Sequence, residues 1–100
     1  MDVKVTNKDA KALVYLFGSI DIPAAEKLKK SLTQILENNV TKDVVIDFGG
    51  VNFIGSSGIG KLMLFHKKFT SKGGKVQIVN VNPEITQLFR AIKLDQLFNI

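Results

Sequence analysis

Nucleophilic hydroxyls, small residues and a cation crowd together in one stretch of this chain, Gly55-Ser56-Ser57-Gly58-Ile59-Gly60-Lys61. Two serines set among glycines can serve as nucleophiles, as part of a phosphate cradle, as caps on a helix, or as hydroxyls modified by another enzyme. Nucleophilic catalysis needs a base within hydrogen-bond reach of the hydroxyl. The single histidine, His66, follows Ser56 by about two and a half helical turns, which is roughly 15 Å at the rise of an α-helix. It sits on an apolar face and reads as a packing residue. Asp21 and Asp47 could line one end of a sheet, but neither has a partner acid. One histidine and no cysteine leave too few ligands for a zinc site. No enzymatic activity, cofactor or metal is expected.

The same stretch resembles a phosphate-binding loop in its glycines and in Lys61. Glycines at a helix start let backbone N–H groups approach an anion, and the helix dipole favours negative charge there. However, Leu62 stands where a Ser or Thr would hold magnesium, which argues against nucleotide hydrolysis and leaves passive nucleotide binding open. The three-glycine dinucleotide fingerprint fails, because Met63 occupies the third glycine position. The plain structural role for Ser56 and Ser57 is N-capping, in which a side-chain oxygen accepts from a backbone N–H two or three positions on. Capping is compatible with regulation. A serine flanked by glycines at a helix start is accessible to a kinase, and a phosphate adds about −1.5 to −2 charges that a docked partner must accommodate. Ser56 is therefore read as a regulatory phosphoacceptor, with Ser57 as the fallback.

The elements that must hold this loop follow from the hydrophobic periodicity. Val3 and Val5 alternate with polar residues, Asn7-Lys8-Asp9 supplies turn chemistry, and residues 13–17 form a second strand, so the chain opens on a β-hairpin. Gly18 ends it. Asp21 and Pro23 start a helix carrying Ala25, Leu28, Leu32, Ile35 and Leu36 on one stripe, and Asn38-Asn39 stops it. Residues 43–48 read as a strand covered on both faces. After the serine-glycine loop, Ile59, Leu62, Met63, His66 and Phe69 share a helical face that ends at Gly73-Gly74. Residues 75–81 make another strand. Asn82-Pro83 starts a third helix with Ile85, Leu88, Phe89 and Ile92 inward, and residues 97–100 would close as a last strand. The order β-β-α-β-α-β-α-β implies an α/β domain, a mixed, mostly parallel sheet opened by a hairpin, with three crossover helices. Binding loops in such sheets lie beyond the carboxyl ends of the strands. Residues 18–21 and 49–58 both fall there, and they should be neighbours.

With 100 residues, 45% of them hydrophobic, the chain makes one domain spanning residues 1–100. No signal-peptide pattern opens it and no apolar run approaches the ~20 residues needed to span a bilayer, so a cytoplasmic location and no membrane insertion are expected. The formal charge of +5 comes from scattered lysines, among them Lys27, Lys29 and Lys30 in one segment and Lys67, Lys68 and Lys72 in another. With one arginine and one tyrosine, the interleaving of a nucleic-acid binder is thin, and the lysines read as solvated faces.

Gly18-x-Ile20-Asp21, Val45-Ile46-Asp47-Phe48, the run Phe53 to Gly60, and Asn82-Pro83 followed by Leu88-Phe89 resemble the STAS-domain family of bacterial anti-sigma-factor antagonists over essentially the whole chain. The resemblance implies partner switching: the dephosphorylated protein binds an anti-sigma factor that is also a serine kinase, and a metal-dependent serine phosphatase reverses the modification. It implies that Ser56 is the phosphoacceptor and that Gly18, Asp21, Gly55, Ser56, Ser57 and Gly58 contribute to the partner-binding surface, in a monomer or weak dimer. Two departures stand out. Gly55 replaces the family's usual aspartate before the phosphorylated serine, and many relatives continue past residue 100 into another helix. The first keeps two alternatives in view, a STAS subunit of another signalling or lipid-transport complex that works without phosphorylation, and a passive nucleotide-binding STAS domain.

Overall fold

The alternation of Val3 and Val5 with polar residues, a polar turn, and the apolar run 12–17 dictate the opening hairpin of the computed structural model, which describes residues 1–100. Strand β1 (Asp2–Lys8) pairs antiparallel with β2 (Lys11–Phe17), placing Val3 opposite Leu16 and Val5 opposite Val14. Asp9 makes the turn with φ of 55°, a left-handed conformation in which Asp is among the better tolerated residues. Helix α1 (Ile22–Glu37), strand β3 (Asp43–Gly50), helix α2 (Ser56–Ser71), strand β4 (Lys75–Val79) and helix α3 (Pro83–Ala91) follow. The sheet order is β1-β2-β3-β4, with the last three strands parallel.

Two successive right-handed crossovers that advance the sheet in one direction put their helices on the same side. Accordingly Val14, Leu16, Ile46, Phe48 and Ile78 face the buried stripes of α1 and α2. Phe89 of α3 meets Phe48 edge-on with centroids 6.1 Å apart, so the third helix joins the same layer. The alternation in β3 is buried at Val44, Ile46 and Phe48 but only half-buried at Val45 and Asp47. This strand is thus covered on one face and not on two. The opposite sheet face, with Leu13, Tyr15, Phe17, Val45 and Val79, carries no helix. A continuous apolar run is ambiguous on this point, because an uncovered face can also be lined with β-branched and aromatic residues.

The face of α2 is rotated from the expected one. Gly58, Leu62, Phe65 and Phe69 are buried, while Met63 is 45% exposed. In α3, Ile85 and Phe89 are buried, whereas Leu88 and Ile92 lie outward. Residues 97–100 do not form the expected closing strand. The Phe98 carbonyl accepts one bond from the Ile78 N–H at 3.3 Å, but Asn99 has φ of 58° and the chain curls into turns. A residue in the left-handed region cannot propagate a ladder. Phe98 is instead a plug, fully buried under the edge of the His66 ring at 5.1 Å.

Candidate functional site

Two loops meet at the carboxyl ends of β2 and β3, and backbone hydrogen bonds bind them together. The Gly18 N–H donates to the Gly50 carbonyl at 2.9 Å, Ile20 to Phe53 at 2.8 Å, and Gly55 to Ile20 at 3.0 Å. The last two form a parallel bridge between Ile20 and Ile54. Gly18 turns the chain out of β2 with φ of 99°, a conformation that a side chain would strain. The pairing of β2 with β3 shifts by one residue between Tyr15 and Phe17, so β3 carries an extra residue next to the loop. Asp47 supports that irregularity by accepting from the Gly49 N–H at 2.7 Å. Bulges of this kind re-aim a chain beside a site.

Each loop delivers a helix start. Asp21 is the N-cap of α1, its Oδ1 accepting from the Ala24 N–H at 3.0 Å. Gly55 is the N-cap of α2 and offers no side-chain cap. The expected capping by serine is therefore not realised. Ser56 occupies the first helical position, and neither Ser56 nor Ser57 makes a side-chain hydrogen bond within the protein. Ser56 is exposed and Ser57 is half-buried. A hydroxyl at the first turn with no internal partner is available to an outside one.

Asp21, Ile22, Phe53, Gly55, Ser56 and Ser57 line an open depression of about 270 Å³. Its walls are apolar and prominent, with Ile22 70% and Phe53 53% exposed. It contains one carboxylate and no lysine or arginine. Two helix N-termini converge here, and their dipoles give the site its only positive character.

Of the residues singled out from sequence, Asp21, Gly55, Ser56 and Ser57 thus share one surface. Gly18 lies behind it as a turn residue. Gly58 is buried, and a Cβ there would lie 2.6 Å from Ile20 Cγ2 and 3.0 Å from Ile54 Cγ1, so its role is to let α2 close onto the joined loops. Asp47 is engaged by Gly49 and by Asn80 Nδ2 at 3.1 Å. His66 packs on Phe98 and does not line the depression. Lys61 pairs with Glu26 at 3.3 Å, and Ser56 to Gly60 are already helical, so no phosphate-cradling loop forms. Sequence reasoning missed Ile22 and Phe53 as exposed apolar walls. Their signal was position alone, an isoleucine right after a helix cap and a phenylalanine two residues before the other. Asn82 caps α3 as expected, but sequence reasoning missed that its Nδ2 reaches the Val51 carbonyl at 3.2 Å, bracing the loop that carries Ser56.

Comparison with known proteins agrees with this architecture. The chain is 24% identical over 88 residues to an anti-sigma F factor antagonist from Paenibacillus polymyxa, covering 88% of this chain and 73% of that protein. Its fold superimposes with TM-score 0.85 on the anti-sigma factor antagonist SpoIIAA in its unphosphorylated form, at 18% identity, covering 96% of this chain and 84% of that one. The phosphorylated form of the Bacillus cell fate determinant SpoIIAA gives 0.79, also at 18% identity, over 96% of this chain and 87% of that one. An anti-sigma factor antagonist from Mycobacterium paratuberculosis gives 0.84 at 25% identity, over 97% of this chain and 81% of that one. The STAS-domain family model matches residues 2–100. A four-stranded mixed sheet with three helices on one side, closing over two joined loops, is the STAS fold, and this chain belongs to the STAS-domain family.

Proposed function

We propose that this protein is an anti-sigma-factor antagonist that docks on a serine-kinase anti-sigma factor through the depression around Ser56 and is released by phosphorylation of that serine. The observation that carries the reading is the Ser56 hydroxyl, exposed and unbonded at the first turn of α2, beside the Asp21 carboxylate and between two exposed apolar walls. Ile22 and Phe53 supply the desolvated contact that association needs, as apolar anchors do at protein interfaces. A phosphate on Ser56 finds the two helix dipoles but no basic side chain in the depression. It therefore adds charge next to Asp21 on a surface the partner must dry, and docking fails by repulsion and desolvation while the fold is undisturbed. A metal-dependent serine phosphatase resets the switch.

The test is incubation with the cognate kinase and ATP followed by intact-mass measurement. One phosphate should be added to the protein and none to Ser56→Ala. Equal phosphorylation of the alanine variant would overturn the assignment and point to Ser57. Gly55 favours one second reading, a STAS subunit that works without modification in another assembly. In that case Ser56→Asp should bind the partner as well as the unaltered chain does.

A further inference from the structure

The lysines that look scattered in sequence are gathered by the fold. Helix α1 carries Lys27, Lys29 and Lys30, and α2 with its C-cap carries Lys61, Lys67, Lys68 and Lys72. Against them on the same two capped helices stand Asp21, Glu26 and Glu37, leaving a surplus of four, and Asp2 of β1 lies 3.9 Å from Lys27. That is most of the formal net charge of the whole chain, +5.

The helices run side by side in the same direction, with the Lys61–Glu26 pair near one end and Lys72 Nζ donating to the Leu36 carbonyl at the other. Between them lies a furrow. Leu32 and Phe65 form its recessed floor, each about 2% exposed, while Leu36 and the 45% exposed Leu64 make its walls. Lys29, Lys61 and Lys68 stand along its rim.

We propose that this furrow docks an acidic amphipathic segment of a protein, with an apolar side chain inserted between Leu36 and Leu64 and carboxylates on Lys29 and Lys68. Charge complementarity selects the sign of the partner. The furrow's shape selects its class. Its volume of about 40 Å³ admits a side-chain tip and is far below the ~300 Å³ or more of a small-molecule site. Binding to an anionic bilayer requires apolar groups that stand proud of the basic ones, whereas here the apolar floor lies below the lysines. A nucleic acid asks for arginine and stacking aromatics, and the lone arginine, Arg90, is on α3. This surface is separate from the depression at Ser56 and does not depend on what that depression binds.

The probe is a synthetic helical peptide with Leu at positions i, i+3, i+4 and i+7 and Glu or Gln elsewhere, titrated into the isotopically labelled full chain and followed by NMR. Saturable shifts should centre on Lys29, Leu36, Leu64 and Lys68. A peptide of equal charge with Ser in place of Leu should bind at least about tenfold more weakly. Both Leu64→Glu and the pair Lys29→Glu/Lys68→Glu, all at exposed positions, should weaken binding by about tenfold, the scale of one to two such contacts. Ser56→Asp should leave it unchanged, which keeps the outcome distinct from that of the phosphorylation switch. The proposal is overturned by any of four results: no saturable binding at millimolar peptide; equal binding of the Leu-free peptide; shifts centred elsewhere, for instance on the bare sheet face; or tighter binding to vesicles of phosphatidylglycerol and phosphatidylcholine or to a single-stranded oligonucleotide.

Discussion

The amino-terminal tips and the shared flank of α1 and α2 are built from the same two helices and have opposite chemistry. At the tips, Asp21 is the only charged residue of a depression walled by Ile22 and Phe53. Along the flank, lysines border a recessed apolar furrow. The tips stand on two loops joined by backbone hydrogen bonds to the ends of the sheet, so their geometry is fixed by main chain. The flank is fixed by side-chain packing of Leu32 and Phe65. The two surfaces should therefore respond differently to substitution, and only a change that detaches α2 from the sheet should disturb both.

Gly58→Val is that change, and it carries the largest expected effect. The new side chain would begin with a Cβ 2.6 Å from Ile20 and 3.0 Å from Ile54, both fully packed. Overpacking of this kind, together with a β-branched residue, should cost about 3 kcal/mol, read as a lower denaturant midpoint with unchanged slope. Surviving folded protein should lose partner binding at both surfaces. A variant as stable as the parent would mean that α2 does not rest on the Ile20–Ile54 bridge as described.

Ser56→Asp comes next and should separate the surfaces. A charge placed in the drying interface beside Asp21 should weaken binding of the anti-sigma partner by about 2 kcal/mol, roughly 30-fold. Folding stability should hold or rise slightly, because an acid at the first helical position suits the dipole. Calorimetry on the partner and a thermal melt on the free chain decide between a switch and simple unfolding.

Much of this arrangement is legible in the sequence. The Asp21-x-Pro23 and Asn82-Pro83 starts are local chemistry, and both aspartate and asparagine cap as expected. The adjacency of the two loops followed from parallel strand order. What could not be read was set by tertiary choices. On α2 the apolar residues Ile59, Leu62, Met63, Phe65 and Phe69 surround much of the helix, so more than one inward face was consistent with the pattern. The fold chose the one that buries Gly58 and lets the helix approach Ile20. Phe98 read as part of a strand because an apolar pair precedes the terminus, yet a plug beside His66 and a strand look alike over four residues. The furrow was invisible because its lysines come from segments more than thirty positions apart, aligned only when α1 and α2 pack.

Phe53→Ala should produce a smaller loss than the added charge. At 53% exposure the ring contributes little to folding, so stability should change by less than about 1 kcal/mol. Partner affinity should fall by about 1 kcal/mol, or five- to tenfold, if the ring is an anchor of the docked complex. An unchanged affinity in surface plasmon resonance would confine the contact to Ile22 and the serine loop, and would narrow the contrast between the two surfaces.

Gly55→Asp should have the smallest effect on the fold and the most to say about regulation. Gly55 has φ of −91° and ψ of 175°, an extended conformation open to any residue. A Cβ there would meet only ordinary contacts, the Ile20 carbonyl at 3.7 Å and the Phe53 ring at 3.7 to 3.8 Å. No steric demand therefore requires glycine. Aspartate at an N-cap is better than glycine by a few tenths of a kcal/mol, so the melting temperature should rise slightly or stay level. Any large change must then appear in recognition. If the missing carboxylate limits phosphorylation, Gly55→Asp should accelerate phosphate incorporation at Ser56 by the cognate kinase in an intact-mass time course. An unchanged rate would place the determinant of recognition in Asp21, Ile22 and Phe53, and the glycine would be neutral to the switch. A faster rate with weaker partner binding would show instead that Gly55 keeps the depression poor in charge, which is the property that sets it apart from the basic flank of the same helices.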